Sequence, residues 1–224
     1  MLQKLNNVYS NIKVAAEKSG RREEDITLIA VSKTKPIEMI RLANSLGVNT
    51  FGENKVQEVV DKYDNIGSVN WHFIGTLQKN KVKYIVDKVC LIHSLDSISL
   101  AEEINKRAKN KGIVARVLIQ INIGKEESKS GIYKEELYNF IEDIKGFENI
   151  KVCGLMTIPP KDESRKYFKD MKMLFDSLKI VENSNLKMEY LSMGMTGDYE
   201  IAIEEGANMV RVGTGIFGDR DYLK

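Results

Sequence analysis

Ile26-Thr27-Leu28-Ile29-Ala30-Val31-Ser32-Lys33, with Thr34-Lys35-Pro36 directly behind it, is the stretch that decides the fold of this 224-residue chain. The run from Ile26 to Ser32 is rich in β-branched and aliphatic side chains and suits a strand buried on both faces. The turn signal stops it, so Lys33 emerges at a strand's C-terminal end, where α/β folds keep their ligand sites. A lysine there has two readings. Its head reaches solvent along an aliphatic stem, or burial disfavours the ammonium form and supplies neutral amine for a Schiff base with an aldehyde.

The far end of the chain shifts the balance between them. Met209-Val210-Arg211-Val212-Gly213-Thr214-Gly215-Ile216-Phe217-Gly218 is a short apolar strand running into a glycine-rich turn. Such a turn lets backbone approach a phosphate and aim N–H groups at it. In a barrel of alternating strands and helices, the loops after the last two strands are the common phosphate site, and the last strand closes against the first. A first-strand lysine and an eighth-strand glycine turn are then neighbours. Together they suggest an aldehyde that carries a phosphate, and pyridoxal phosphate fits both halves.

Strand-like stretches at 26–32, 49–52, 70–74, 89–93, 113–122, 150–156, 188–192 and 208–212 alternate with amphipathic ones at 37–46, 55–63, 80–88, 97–110, 134–144, 163–181 and 198–205, after an opening helix at 2–19. Eight strands with intervening helices predict an α/β chain folded as one (β/α)8 barrel with an extra N-terminal helix, rather than an open doubly wound sheet. No linker or low-complexity segment divides the chain, and Pro36, Pro159 and Pro160 all fall at strand ends, so residues 1–224 read as a single domain.

Hydrophobic residues make up 42% and charged residues 29%, an ordinary globular balance. With 34 basic and 32 acidic side chains the net charge is +2, and no basic stripe with interleaved aromatics suggests nucleic acid. No apolar run approaches membrane-spanning length, which points to the cytoplasm. Cys90 and Cys153 lie in separate apolar runs without metal-ligand spacing and read as buried small hydrophobes.

Several rim residues remain open on sequence alone. Arg211, two positions before Gly213, shares its strand face and either donates to a pyridine nitrogen or pairs with a carboxylate inside the barrel. Ser192 and the N–H groups after it, through Gly194, offer a second phosphate contact, with Thr196 or Asp198 as helix caps. Asn54 is a rim donor or an N-cap. His72 and His93 read as satisfied core or rim histidines. Lys125 to Gly131 is a solvated loop.

At Ala30–Pro36, Phe51-Gly52-Glu53-Asn54, Trp71–Gln78, His93-Ser94-Leu95-Asp96, Gln120–Gly124, Gly154–Thr157, Leu191–Met195 and Met209–Gly218 the chain resembles the pyridoxal phosphate homeostasis proteins, the YggS-like family. That family is related to the barrel domain of alanine racemase. The resemblance implies a fold-type III barrel with Lys33 as the Schiff-base lysine. It also implies Ser192, Gly213 and Thr214 at the phosphate, Arg211 at the pyridine nitrogen, and Asn54 and Met156 along the ring pocket. A racemase adds a mostly β domain that contributes a tyrosine, whereas this chain ends soon after the phosphate turn. Ile158 or Met156 stands where the racemase packs a histidine on the ring, and Lys129 stands in place of an arginine. The expectation is therefore a monomeric carrier that holds pyridoxal phosphate for apo-enzymes without efficient catalysis. A racemase-like enzyme of low activity, with its second base from His72, Tyr199 or another chain, is the alternative.

Overall fold

The computed structural model describes residues 1–66, 69–180 and 185–219. Eight parallel strands, β1 (Thr27–Val31), β2 (Thr50–Glu53), β3 (Asn70–Phe73), β4 (Leu91–Leu95), β5 (Ala115–Ile121), β6 (Ile150–Thr157), β7 (Leu186–Met195) and β8 (Met209–Val212), pair in chain order and close into a barrel. The closing seam pairs Thr27 with Met209, Ile29 with Arg211 and Ala30 with Val212. Helices α1 (Leu2–Lys18), α2 (Ile37–Ser45), α3 (Val56–Tyr63), α4 (Ile98–Lys111), α5 (Leu137–Ile144), α6 (Ser164–Leu178), α7 (Tyr199–Glu204) and α8 (Thr214–Phe217) complete the chain. No helix among the described residues is long and apolar enough to cross a membrane.

Alternation along the strands sorts side chains into two cores. Ile29, Leu91, Leu118, Cys153, Met156 and Met209 fill the barrel interior, with Ile158 and Tyr190 packed on them. Their out-of-phase neighbours, among them Leu28, Ala30, Phe51, Trp71 and Phe73, face the helices and join the larger layer between barrel and helical ring. The extra helix α1 is part of that ring. Its Leu5, Val8 and Ile12 are buried, and Asn11 donates to the Tyr199 hydroxyl on α7 at 3.1 Å. Just beyond α1, Arg21 donates to the carbonyl oxygens of Ile203, Gly206 and Ala207 around the end of α7, where helix carbonyls lack an intrahelical donor.

Three segments depart from the sequence reading. Between β3 and β4 the amphipathic stretch forms a 3-10 helix, Lys79–Tyr84, instead of an α-helix. Its apolar anchors Val82 and Ile85 are three apart, and three residues per turn stacks them on one side while Lys79, Lys81 and Lys83 stay exposed. The phosphate turn continues as the single helical turn of α8. Cys153 is buried as expected, but Cys90 is exposed, because it lies one residue ahead of β4 at the barrel's opposite end. The reading of a helix over 163–181 extends, at its last position, outside the described residues.

Gly75, just after β3, passes against the backbone of Asn54, and a Cβ built there would lie 2.2 Å from the Asn54 carbonyl oxygen. Backbone cannot yield as a flexible side chain would. Gly75→Ala is expected to destabilise the fold by about 1–3 kcal/mol, as overpacking does, and to shift the amide resonances of residues 53–55. Urea unfolding and an amide NMR spectrum check both.

Candidate cofactor site

Ile29 and Val31 face the barrel interior and seam, so the period of two carries Lys33, half-buried, to the mouth. The turn that presents it is held from behind. Thr34 sits at φ 62°, a left-handed conformation that costs a β-branched residue on the order of 1–3 kcal/mol and persists only when neighbours fix it. Those neighbours are charged. The Lys62 ammonium on α3 donates to the Ser32 carbonyl at 3.0 Å, to Glu53 Oε1 at 2.8 Å and to Glu58 Oε2 at 2.8 Å. Glu58 Oε2 accepts the Thr34 N–H at 2.7 Å, and the Ser32 hydroxyl donates to Glu53 Oε1 at 2.6 Å.

One lysine cannot balance two carboxylates. Burial raises Glu58, but Lys62 and the Thr34 N–H outweigh it and hold the group below the usual carboxylate range. Glu53 is wholly buried, and its Oε2 has no hydrogen-bond partner among the described residues. Burial therefore wins over Lys62 and Ser32 and pushes this carboxyl up to about 7.

Arg211 points inward from β8, almost wholly buried. Its Nη1 donates to the Ser192 hydroxyl at 2.5 Å and its Nη2 to the Thr157 carbonyl at 2.8 Å. Neither partner is a carboxylate, and among the described residues Arg211 makes no salt bridge, so the interior ion-pair reading fails. Burial lowers its pKa to about 10, still a cation at neutral pH. Among the described residues two of its five N–H bonds are used, which leaves a fixed cation with donors to spare. Ser192 Oγ also lies 3.1 Å from His93 Nδ1, and His93 Nε2 lies 3.0 Å from His72 Nδ1. Burial pushes both imidazoles down, His72 to about 4 and His93 well below its ordinary value. His93 thus has a partner at each ring nitrogen, and His72 is bonded through Nδ1.

Ser192 is thus occupied beneath Arg211, away from the turn its hydroxyl was expected to serve. The hydroxyl at that turn is Thr196, which accepts the Gly213 N–H at 3.3 Å. The signal was the Met195-Thr196-Gly197 segment itself, which the sequence reading treated as a helix cap. The N–H groups of Thr214 and Gly215 open the first turn of α8 and have no intrahelical acceptor. The nearest atoms that a Cβ at Gly213 would meet belong to Val31, at ordinary contact distances of 3.4 Å and more, so close packing does not demand glycine there. Gly194 has the opposite explanation. Its φ is +90°, and a Cβ would lie 2.6 Å from that of Ala202, so it lets α7 pack onto β7. Met156 forms part of the barrel floor. Asn54 does not cap α3, whose N-cap is Lys55; its buried Oδ1 has no partner among the described residues.

The loop 125–131 is tethered more closely than its charges suggest. Asn122 Nδ2 donates to the carbonyls of Glu126 and Lys129, and Gln120 Nε2 to that of Ser130. Lys129 itself is exposed.

A lysine just past β1, a glycine turn after β8 and a buried cation on β8 lie together at one end of a closed α/β barrel. Residues 3–221 match the family described as "Alanine racemase, N-terminal domain". A pyridoxal phosphate homeostasis protein of Aquifex aeolicus is 46% identical over 98% of each chain, and one of Escherichia coli K12 is 39% identical over 98% of this chain and 97% of its own. The chain belongs to this family, among its pyridoxal phosphate homeostasis proteins. PipY of Synechococcus elongatus, solved with PLP bound, superposes with a TM-score of 0.80 at 32% identity over 91% of this chain and all of that one. An alanine racemase of Clostridium difficile shares the fold, at a TM-score of 0.74 and 22% identity, over 98% of this chain and 60% of its own.

Glu53 generates a pH prediction. Its carboxyl titrates near 4.5 when unfolded and about 7 when folded. A raised folded value contributes stability that is fully present below 4.5 and lost as pH rises through 7. Glu53→Gln should abolish that part of the decline, on the order of a few kcal/mol at most, so that its urea midpoint changes less than the parent's between pH 4.5 and 7.5. Parallel curves for the two proteins would contradict it.

Proposed function

We propose that this protein binds pyridoxal phosphate covalently at Lys33 Nζ and acts in pyridoxal phosphate homeostasis, holding and releasing the cofactor for enzymes that require it. When bound, the cofactor supplies an aldehyde that condenses with an amine, losing water, and a ring that withdraws electrons through its nitrogen. Gly213, Thr214 and the Thr196 hydroxyl would receive the phosphate, Arg211 would donate to the ring nitrogen, and Asn54 would lie along the ring. Ser192 would serve through Arg211. The observation that carries the fit is Arg211, a buried cation with unused donors and no carboxylate partner among the described residues, a costly arrangement unless an acceptor arrives.

We propose further that the site is a carrier and not an efficient catalyst. Proton transfer on both faces of an α-carbon needs a positioned base on each. The candidates for a base opposite Lys33 are engaged elsewhere. His72 is bonded to His93 inside the barrel, and Tyr199 faces α1, where it accepts from Asn11. An arginine at the ring nitrogen keeps that nitrogen unprotonated and weakens the ring as an electron sink. Cytoplasmic location and a monomeric state belong to the same reading, as the simplest setting for a diffusing carrier.

Lys33→Ala should fold with the parent's unfolding midpoint within about 1 kcal/mol, since a half-buried strand-end side chain holds little core, and should lose the adduct that borohydride fixes. Peptide mapping that finds the main adduct on another lysine would refute the assignment. In the loaded parent protein, turnover of L-amino acids should stay well below about 1 s⁻¹, the low end of ordinary enzymes. Transfer to an apo-enzyme should proceed faster than spontaneous release. Turnover at or above that rate would favour the racemase-like alternative.

A further inference from the structure

The chain of side chains behind Arg211 has only one consistent arrangement of protons. Arginine is a donor without lone pairs to offer, so the 2.5 Å contact fixes Ser192 Oγ as acceptor. The serine hydroxyl has one proton, and its other neighbour is His93 Nδ1 at 3.1 Å. If that nitrogen carried a proton, Ser192 would accept twice and its own hydrogen would be left without an acceptor among the described residues, in a wholly buried position. An unmade buried hydrogen bond is the expensive choice. His93 Nδ1 is therefore bare, its proton sits on Nε2, and it donates across 3.0 Å to His72 Nδ1, whose own proton sits on Nε2.

We infer that His72, His93 and Ser192 form a one-directional wire of neutral groups whose role is to position Arg211 as a cationic donor toward the bound ring. The inference rests on the cofactor reading for its purpose, though not for its geometry. Each member polarises the next, so Ser192 is a better acceptor than an isolated hydroxyl. With Thr157 O on Nη2, the guanidinium is fixed at two points and its remaining N–H bonds have set directions. A carboxylate in place of Ser192 would anchor the arginine equally well but neutralise it. The wire anchors it by dipoles alone and leaves its charge for a ligand. Burial and the neighbouring Arg211 charge keep His93 from protonating, and burial with Arg116 does the same for His72, so the direction of the wire survives ordinary changes of pH. His72 and His93 are positioning residues and need no contact with the cofactor.

The test begins with the ligand-free protein. Imidazole 15N NMR should show both histidines as neutral Nε2–H tautomers, unchanged from pH 5.5 to 8.5. An Nδ1–H tautomer at either ring, or an imidazolium within that range, would overturn the wire. Ser192→Ala, a small change, should free His93 Nδ1 and shift its resonance, whereas an unmoved resonance would also count against it. In the loaded protein, His93→Gln keeps an acceptor and a donor while His93→Phe keeps neither. The expected order of cofactor release is parent, then Gln, then Phe, with the Phe variant about tenfold faster than the parent, a fold-change equal to the loss of one net hydrogen bond. The 15N shift of the labelled ring nitrogen should move with it while the adduct stays at Lys33. Equal release and an unmoved shift in His93→Phe would refute the positioning role. If His93→Phe does not fold, Ser192→Ala carries the same two measurements. Absence of any Lys33 adduct in the parent would refute the cofactor reading and with it the role of the wire, while the ligand-free spectrum still decides its geometry.

Discussion

The mouth of this barrel depends on the alternation of side chains along β1. Ile29, Val31 and Lys33 share one face, while Ala30 and Ser32 share the other. A slip of one residue would turn Ser32 into the mouth and bury Lys33 under α3. The register is held by more than the ladder. Ser32 offers both its hydroxyl and its carbonyl to the Glu53–Lys62 pair, and Thr34 gives its N–H to Glu58, so the residues on either side of Lys33 are fixed by bonds that a shifted strand could not make. The apolar floor and the charged clasp behind the turn therefore specify one lysine out of many.

The two buried charge systems differ in design. Lys62 is surrounded by carboxylates, and the excess negative charge is removed at Glu53, which takes up a proton near neutrality. Arg211 is surrounded by neutral acceptors and retains its charge. Removing one partner of a buried pair typically costs about 3–5 kcal/mol, so the Lys62 cluster is a structural commitment. Among the described residues Arg211 has no such partner to lose. Its cost is already present in the ligand-free fold, and a ligand acceptor would relieve it.

The architecture was readable because it is written in local periods. Apolar runs bounded by turn signals gave the strands, and the spacing of Arg211 from Gly213 gave the face of β8. Boundaries moved by a few residues, and the 3-10 segment after β3 escaped because Val82 and Ile85 fit a helical period as well as a period of three. The positions of Lys33, Arg211 and the glycine turn at one end of the barrel were legible, because residue type and strand end suffice for placement. The site was not legible at Ser192 or Thr196. Both hydroxyls lie within five residues on one strand-to-helix passage, and the irregular pairing between Ser192 and Met195, with Gly194 at positive φ, breaks the alternation that would have told them apart. The Ser32–Glu53–Lys62 and His72–His93–Ser192 contacts join separate strands and helices, and no single-segment pattern announces them.

The seam between β1 and β8 has a consequence for how the protein comes into being. Its partners are about 180 residues apart, so closing it closes a long loop, and pairings of that span form late. Lys33 leaves a ribosome, which works from the N-terminus, long before Arg211 and Gly213 do. Until they meet, β1 and β8 are open sheet edges of the sort that invite pairing with other chains. A small molecule that touches both sides of the seam would bind only the finished ring and, by mass action, hold it closed. Its concentration would then set how seldom a finished ring reopens to show those edges.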